Sequence, residues 1–498
     1  MQNQGQNTFT QEQFLALVEL NQKLTFRIQQ LEQQLAQFQK LVFGKKHERV
    51  ELLNPGQLNL GLDLGETTPV TVSTEDISYT RTKTKKKVQP NRSPLPADLP
   101  REVIVIEPEQ DTAGMKLIGH EITEQLEMTP AKFYVKQYKR AKYAKPEGNG
   151  VIIGALPEFS LPKSIAGSSV LAHLLVGKYV DHLPLHRQIK MFSRSGMTFS
   201  DSTINDWIKG SIDLVAILHQ KNEIILKESG YIQMDETPIK VLDSEKKGQT
   251  HRGYFWVSHS PTQKVVTFNY NKGRSAEFPT AFLQDYKGYI QTDGYGVYDA
   301  FDQREDITMV CCMAHARRNF FDAQGNDKQR AEYFIGAIQP LYRLEQELKD
   351  NGATPEVILQ KRKEIADPIL KDLHIWLKAN LPQVLPKSTI GQAIGYALAR
   401  WEKIMRYTKD AALLIDNNLI ENQIRPVAVG RKNYLFCGSH ESAQRAAIIY
   451  SLLGTCKLNN VNPFEWLDDV LKKLPARKAN NIADLLPQNW KPNSQDVV

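Results

Sequence analysis

The chain has 498 residues, 41% hydrophobic and 24% charged, a globular composition too long for one core and expected to divide into roughly two to four domains. No apolar run is long enough to cross a bilayer, the opening MQNQGQNTFTQEQ lacks the cationic and apolar stretches of a secretory signal, and the four cysteines (Cys311, Cys312, Cys437, Cys456) form no C-x-x-C pair. These features argue against a membrane span, a disulfide scaffold and a zinc ribbon, place the chain in the cytosol with reduced thiols, and leave a net charge of +7 that suits a polyanionic partner.

From Phe14 to Val42 the apolar residues keep a heptad, with Phe14, Ile28, Leu35 and Val42 at one seam position and Leu17, Leu24, Leu31 and Phe38 at the other. Asn21 fills one a-type slot, where a buried amide costs stability but fixes register and oligomer number. Residues 1–50 are therefore expected to form a coiled coil that joins chains; a helix folded onto its own domain has the same pattern. Residues 51–100 are rich in Thr and Pro and carry Arg81, Lys83, Lys85, Lys86, Lys87 and Arg92, a linker whose cations either bind phosphates non-specifically or are simply solvated. Alternating stretches such as EVIVIEP and KFYVKQYKRAKY predict a small β-rich module over 101–155.

Helical patterns take over at 156–225. They read as a helix, a Gly-containing turn at Ser195 to Phe199, and a second helix opened by Ser200 or Ser202. This is helix-turn-helix-like, and the stretch Thr203 to Lys209 is placed to enter a major groove, although helical hairpins also serve merely as packing units.

From residue 230 the pattern turns to strands: GYIQMDETPIKVLD, HRGYFWVSHS and KVVTFNYN predict an antiparallel meander. RSAEFPTAFLQDY is helix-like, KGYIQTDGYGVYDAF supplies a fourth strand ending in Asp293 and a Gly-rich turn, and ITMVCCMAHARRNFFDAQ gives a fifth strand running into a helix. The order βββαβαβα is that of a ribonuclease-H-like fold within a multidomain α+β chain. Residues 226–323 form its first part, 324–406 a helical insertion, 407–440 a segment with a Glu-bearing helix, and 441–498 a C-terminal helical tail.

In that fold the first and fourth strands are neighbours, which brings Asp235 and Asp293 together. Two carboxylates forced together repel unless a cation or a proton separates them, and oxygen-only ligands suit magnesium. A third acid, Glu421 in DNNLIENQIRPVAVGRKNYLF, follows Asp416, Asn417 or Asn418 as helix caps and completes a set for two Mg2+ or Mn2+ ions. Each acid alone also has a structural reading: aspartates at strand ends cap turns, and Glu421 suits a capping box with Asn418 or an ion pair with Arg425. Their joint occurrence, in order on these elements, carries the prediction. His315, Arg317 and Arg318 after the fifth strand, and Arg425, Arg431 and Lys432 beside the third acid, are candidates for phosphate contact. His315 equally reads as a structural histidine, and Arg431 with Lys432 as a solvated turn.

At these residues the sequence resembles the insertion sequence 66 family of transposases. QMDETPIKVLD, QTDGYGVYDAF, CCMAHARRNFF, DNNLIENQIRPVAVGRKNYLFCGS and TCKLNNVNPFEWL are similar to that family's recurrent blocks, in its order, as are LPLHRQIKMFSRSGMTFSDSTINDW, LVFGKKHERV and PLPADLPRE. The resemblance covers nearly the whole chain. It implies Asp235, Asp293 and Glu421 as the catalytic triad, the heptads as a leucine-zipper-like region, and small companion proteins of the element as partners. The family's small zinc module has cysteine pairs flanking a block like HEITEQLEMTPAKFYVKQYKRAKYA, and this chain has none around Glu109 to Gly114 or Ala144 to Gly148, so no zinc is expected. The chemistry implied is phosphodiester attack at each transposon end, by metal-activated water and then by the freed 3′-hydroxyl on target DNA. Two rival readings are a catalytically decayed DNA-binding or assembly protein, and a host nuclease of the same fold that cuts without joining.

Overall fold

In the computed structural model of the protein the described residues are 133–140, 142–144, 151–153, 155–243 and 248–492. The expected coiled coil, the basic linker with Lys85, Lys86 and Lys87, and most of the 101–155 module lie outside them. Of that module, β1 (Lys142–Ala144) pairs antiparallel with β2 (Val151–Ile153). Among the described residues no helix is long and apolar enough to cross a membrane.

Three helices follow: α1 (Ser168–Tyr179), α2 (Leu185–Arg194) and α3 (Asp201–Lys227). Gly196 takes φ +82° in the turn before α3, and Ser200 caps α3 by accepting from the Thr203 amide at 3.2 Å. The helix runs on far past Lys209, because Ile212, Val215, Leu218 and Leu226 continue its buried stripe.

The centre is a five-stranded mixed sheet, in the order β5–β4–β3–β6–β7. β3 (Tyr231–Leu242), β4 (Thr250–Ser260) and β5 (Val265–Asn271) form an antiparallel meander. A crossover through α4 (Glu277–Phe282) brings β6 (Gly288–Thr292) parallel to β3, and a 3-10 stretch (Gly296–Gln303) leads to β7 (Ile307–Cys311), parallel to β6. The first and fourth strands of the sheet are thus neighbours, as the sequence predicts. α5 (Met313–Asp322) runs straight out of β7.

Alternation along β3 divides its side chains between the two faces. Ile239 and Val241 join Phe255, Val257, Val266 and Phe268 in a core shared with α1 and α3; Ile232 and Met234 join Trp256, Ile290 and Met309 under α4 and the 3-10 stretch. Three further helices, α11 (Asn418–Tyr434), α12 (His440–Leu458) and α13 (Pro463–Lys473), complete the first core. The segment that reads in sequence as a C-terminal tail is therefore built into the main body. Its chemistry shows why: β5 is an edge strand with outward amides, and Ser451 and Thr455, one turn apart on α12, accept from Phe268 N at 2.7 Å and Val266 N at 3.3 Å. A helix with hydroxyls at that spacing satisfies and covers an edge that would otherwise template aggregation.

Between α5 and α11 lies a helical layer with its own core: α6 (Lys328–Asp350), α7 (Pro355–Lys361), α8 (Asp367–Asn380), α9 (Thr389–Ala399) and α10 (Trp401–Met405). α7 passes into α8 through a single π-turn, Arg362–Ala366, that points the Arg362 guanidinium inward.

Candidate active site

β3 and β6 carry the same pattern, Gly-Tyr-Ile-Gln-x-Asp, and they pair in register on it: Tyr231 with Tyr289, Ile232 with Ile290, Gln233 with Gln291. Two positions beyond the last of these pairs stand Asp235, within β3, and Asp293, the first residue after β6, so the parallel register leads toward both acids. Gly288 permits this entry: at φ +129° its Cα lies against the Gly230 carbonyl, and a Cβ there would come within 2.2 Å of that oxygen.

Beneath the acids the paired glutamines make a buried polar tie. Gln233 Nε2 donates to Gln291 Oε1 at 2.8 Å, and Tyr231 Oη donates to the same oxygen at 2.6 Å. Gln233 Nε2 also reaches the Asp416 carbonyl (3.1 Å), and Gln291 Nε2 the Leu414 carbonyl (2.7 Å). Those carbonyls belong to the segment that enters α11, so the residues that align the aspartates also aim the helix bearing Glu421. The hexapeptide repeat was the signal in the sequence that identifies these glutamines.

Burial, then the charges of Glu236 and Asp293, push the Asp235 carboxyl up to about 8; Glu421 adds to the same effect, and a 2.7 Å bond from the Glu236 amide opposes it. Glu236 was not anticipated from sequence. Its side chain is 2% exposed, pairs with Arg274 and faces Tyr298 Oη at 3.4 Å. Burial raises its carboxyl too, against the pull of Arg274. Arg274 also lies over the Tyr295 ring at 4.0 Å, which secures the turn after Asp293 from below.

That turn is held from above by the helical layer. The Asp293 carboxylate accepts from the Tyr295 amide at 2.8 Å, Tyr396 Oη donates to the Asp293 carbonyl, and Arg400 Nη2 donates to the Gly294 carbonyl at 2.7 Å. Tyr396 lies on α9 and Arg400 just after it, so the insertion clamps the acid-bearing turn.

Glu421 occupies the first turn of α11, behind Asn417 as N-cap. Rather than pairing with Arg425, its carboxylate faces His315 Nε2 at 3.7 Å and Arg318 at 3.5 Å, both on α5. Burial holds the His315 imidazole below its ordinary value, while Asp293 and Glu421 pull the other way. The two remaining phosphate candidates on α11 differ from Arg431: Arg425 and Lys432 are exposed, whereas Arg431 donates to Thr237 Oγ1 at 3.1 Å and to the Pro238 carbonyl, and so holds α11 against β3. Arg317 is half-buried on α5. Thr203 is half-buried and Lys209 exposed, with the exposed carboxylates of Asp201 and Asp206 on the same stretch of α3.

The chain matches the family model described as "Transposase IS66 family" over residues 163–445, "IS66 C-terminal element" over 451–488 and "Transposase C of IS166 homeodomain" over 30–104. The chain belongs to the IS66 transposase family. It is similar to uncharacterised Sinorhizobium fredii proteins: y4qI at 32% identity over 94% of this chain and 90% of that protein, and y4hP at 30% over 84% and 80%. No solved structure matches it. All the acids, and all the tyrosine, arginine and glutamine residues that position them, fall within the first match.

The donors present in this IS66-family transposase fit a divalent cation. They are all oxygen, Asp235 is kept from ionising first by burial and then by its neighbours' negative charge, and Glu421 Oε1 is buried without a hydrogen-bond partner among the described residues. Among those residues no group of three or more His, Cys, Asp or Glu side chains is placed to hold a metal ion. Asp293 and Glu421 bear on Asp235 by their charge, while the Glu421 carboxylate is turned to His315 and Arg318 on α5.

One prediction follows from the clamp. Gly294 sits at φ +85°, and a Cβ there would come within 2.2 Å of Arg400 Nε. Gly294→Ala should displace the turn carrying Asp293 and lower transposition in cells by up to about a hundredfold, the effect of an ångström-scale misplacement. Strain at this φ costs only about 1–2 kcal/mol, so the protein should still melt cooperatively. Unchanged transposition by this variant would show that the clamp does not position Asp293.

Proposed function

We propose that the protein cuts DNA at the ends of its insertion sequence and joins the freed 3′-hydroxyls to target DNA, with Asp235, Asp293 and Glu421 holding two Mg2+ or Mn2+ ions on a ribonuclease-H-like sheet. The observation that supports this reading is that Asp235, two residues past the paired Gln233 in β3, and Asp293, two past the paired Gln291, follow the same parallel register, with the charges of Asp293 and Glu421 both bearing on Asp235. Bound there, two cations would activate the attacking oxygen and stabilise the leaving one. The chain's own groups supply the rest. Buried Glu236 and the Gln233–Gln291 tie hold the aspartates, the Arg400 and Tyr396 bonds hold the Asp293 turn, and His315 and Arg318 offer donors for the scissile phosphate. Arg317, Arg425 and Lys432 serve flanking phosphates. Oligomerisation through the N-terminal heptads, help from companion proteins, and action on DNA in the bacterial cytosol belong to the same proposal.

The test uses the full-length chain, a linear duplex carrying the ends of the element, supercoiled target DNA and Mg2+. Joined products that vanish with EDTA are expected. Cutting without joining would identify the nuclease alternative. Binding with neither reaction would favour the decayed assembly protein, the reading that Glu421's engagement with His315 and Arg318 supports.

The raised Asp235 pKa gives this site a pH signature. The group is charged above about 4 when unfolded but only above about 8 when folded, so without metal its contribution to stability falls as pH rises from about 4 through about 8. A divalent cation competes with that proton. The Mg2+-induced rise in melting temperature should therefore be larger near pH 8 than near pH 6. Equal shifts at the two pH values would remove Asp235 from the metal site.

A further inference from the structure

The cations of α2 have no role so far. Arg187, Lys190 and Arg194 are exposed at spacing i, i+3, i+7, which puts them on one face, while Gln188 and Phe192 are buried on the other. The helix sequence LHRQIKMFSR contains no acid, and none of the three cations makes an ion pair or side-chain hydrogen bond among the described residues. Beside this helix lies the extended segment 133–140, FYVKQYKR, also without an acid. It docks by Phe133, whose ring meets Phe192 edge-on at 5.0 Å, and it leaves Tyr134 72% exposed next to exposed Lys136 and Lys139.

The face that carries Arg187, Lys190 and Arg194, with an exposed aromatic beside it, matches the two features of a nucleic-acid backbone: regularly spaced anions and flat sugars and bases. The start of α3, where a groove-reading helix would be looked for, carries exposed Asp201 and Asp206 against a single Lys209 and repels phosphate. We propose that the face formed by α2 and the 133–140 segment, rather than the start of α3, is the surface on which this chain grips the sugar-phosphate backbone of duplex DNA. Arg187, Lys190 and Arg194 contact phosphates, and Tyr134, Lys136 and Lys139 extend the track. This inference rests on the DNA-joining reading, and its contacts are independent of sequence.

The test is the salt dependence of binding by the full-length protein to a fluorescein-labelled random-sequence duplex. Each phosphate contact adds about 0.9 to the slope of log K against log salt, so the triple variant Arg187→Gln, Lys190→Gln, Arg194→Gln should lose about 3 in slope. A charge-matched control, Lys328→Gln, Lys349→Gln, Lys361→Gln, removes exposed lysines of the insertion and should keep the wild-type slope. Glutamine keeps helix propensity close to that of the cations, and a wild-type melting temperature verifies that α2 is intact. A wild-type slope in the α2 variant, or an equal loss in the control, overturns the proposal. If the wild-type chain binds no duplex at any salt, the DNA-joining reading fails and takes this surface with it; a failure of the surface alone leaves joining activity in place.

Discussion

Asp293→Asn is expected to abolish DNA joining while leaving duplex binding and melting temperature near wild type. The substitution preserves shape, and the amide oxygen can still accept the bond from the Tyr295 backbone that shapes the turn. What it removes is a negative charge from a site of three acids. Cations at such a centre contribute several kcal/mol of transition-state stabilisation, and at about 1.4 kcal/mol per factor of ten the loss is roughly a thousandfold or more. Asp235→Asn should have the same catalytic effect with an opposite stability signature. Burial and the neighbouring carboxylates oppose charge on Asp235, so neutralising it should raise the melting temperature of the metal-free protein at pH 8 and abolish the further rise caused by Mg2+. Strand transfer by either variant at a wild-type rate would remove these acids from the chemistry.

Arg362→Met should cost about 3–5 kcal/mol of stability, the penalty for breaking a buried charge pair from one side. The Arg362 guanidinium is 2% exposed and uses both ends of its fork on Glu345, at 2.9 and 2.7 Å. Its remaining hydrogens go to the carbonyls of Tyr407, Asp410 and Leu413, at 2.7, 2.8 and 2.9 Å. Methionine fills the space but leaves the Glu345 carboxylate and three carbonyls without donors. Those carbonyls line the return from the insertion toward Leu414 and Asp416, which the paired glutamines hold, so joining activity should fall with stability. The double variant with Glu345→Met removes the stranded charge and should recover part of the loss. Melts by circular dichroism decide it: an Arg362→Met protein that unfolds at the wild-type temperature would mean that the insertion is anchored elsewhere.

Much of the candidate site was legible in the sequence because its signals are local. Strand alternation around Asp235, the Gly-rich turn after Asp293 and the polar entry to the Glu421 helix are each specified within about ten residues. The residues that were missed act over distance. Tyr396 and Arg400 bond the Asp293 turn from 103 and 106 positions downstream, and no periodicity on α9 marks them for that task. Arg431 reads in sequence as a candidate phosphate contact beside the third acid, and in the structure it is half-buried and donates to Thr237 and Pro238. Lys85, Lys86 and Lys87 fall outside the described residues, and the exposed cations Arg187, Lys190 and Arg194 are on α2, the helix before the turn, for which sequence reasoning assigned no DNA contact.

By itself the sequence determined the family and the order of the strands, and it singled out the three acids proposed for the site, since recurring blocks and local patterning carry that information. Only the tertiary structure decided which groups hold those acids, that the helical insertion clamps one of them, and that the final helices seal the edge of the sheet. The physical reason is that a carboxylate's place and charge are set by what is buried against it, and burial partners are chosen by the packed chain as a whole.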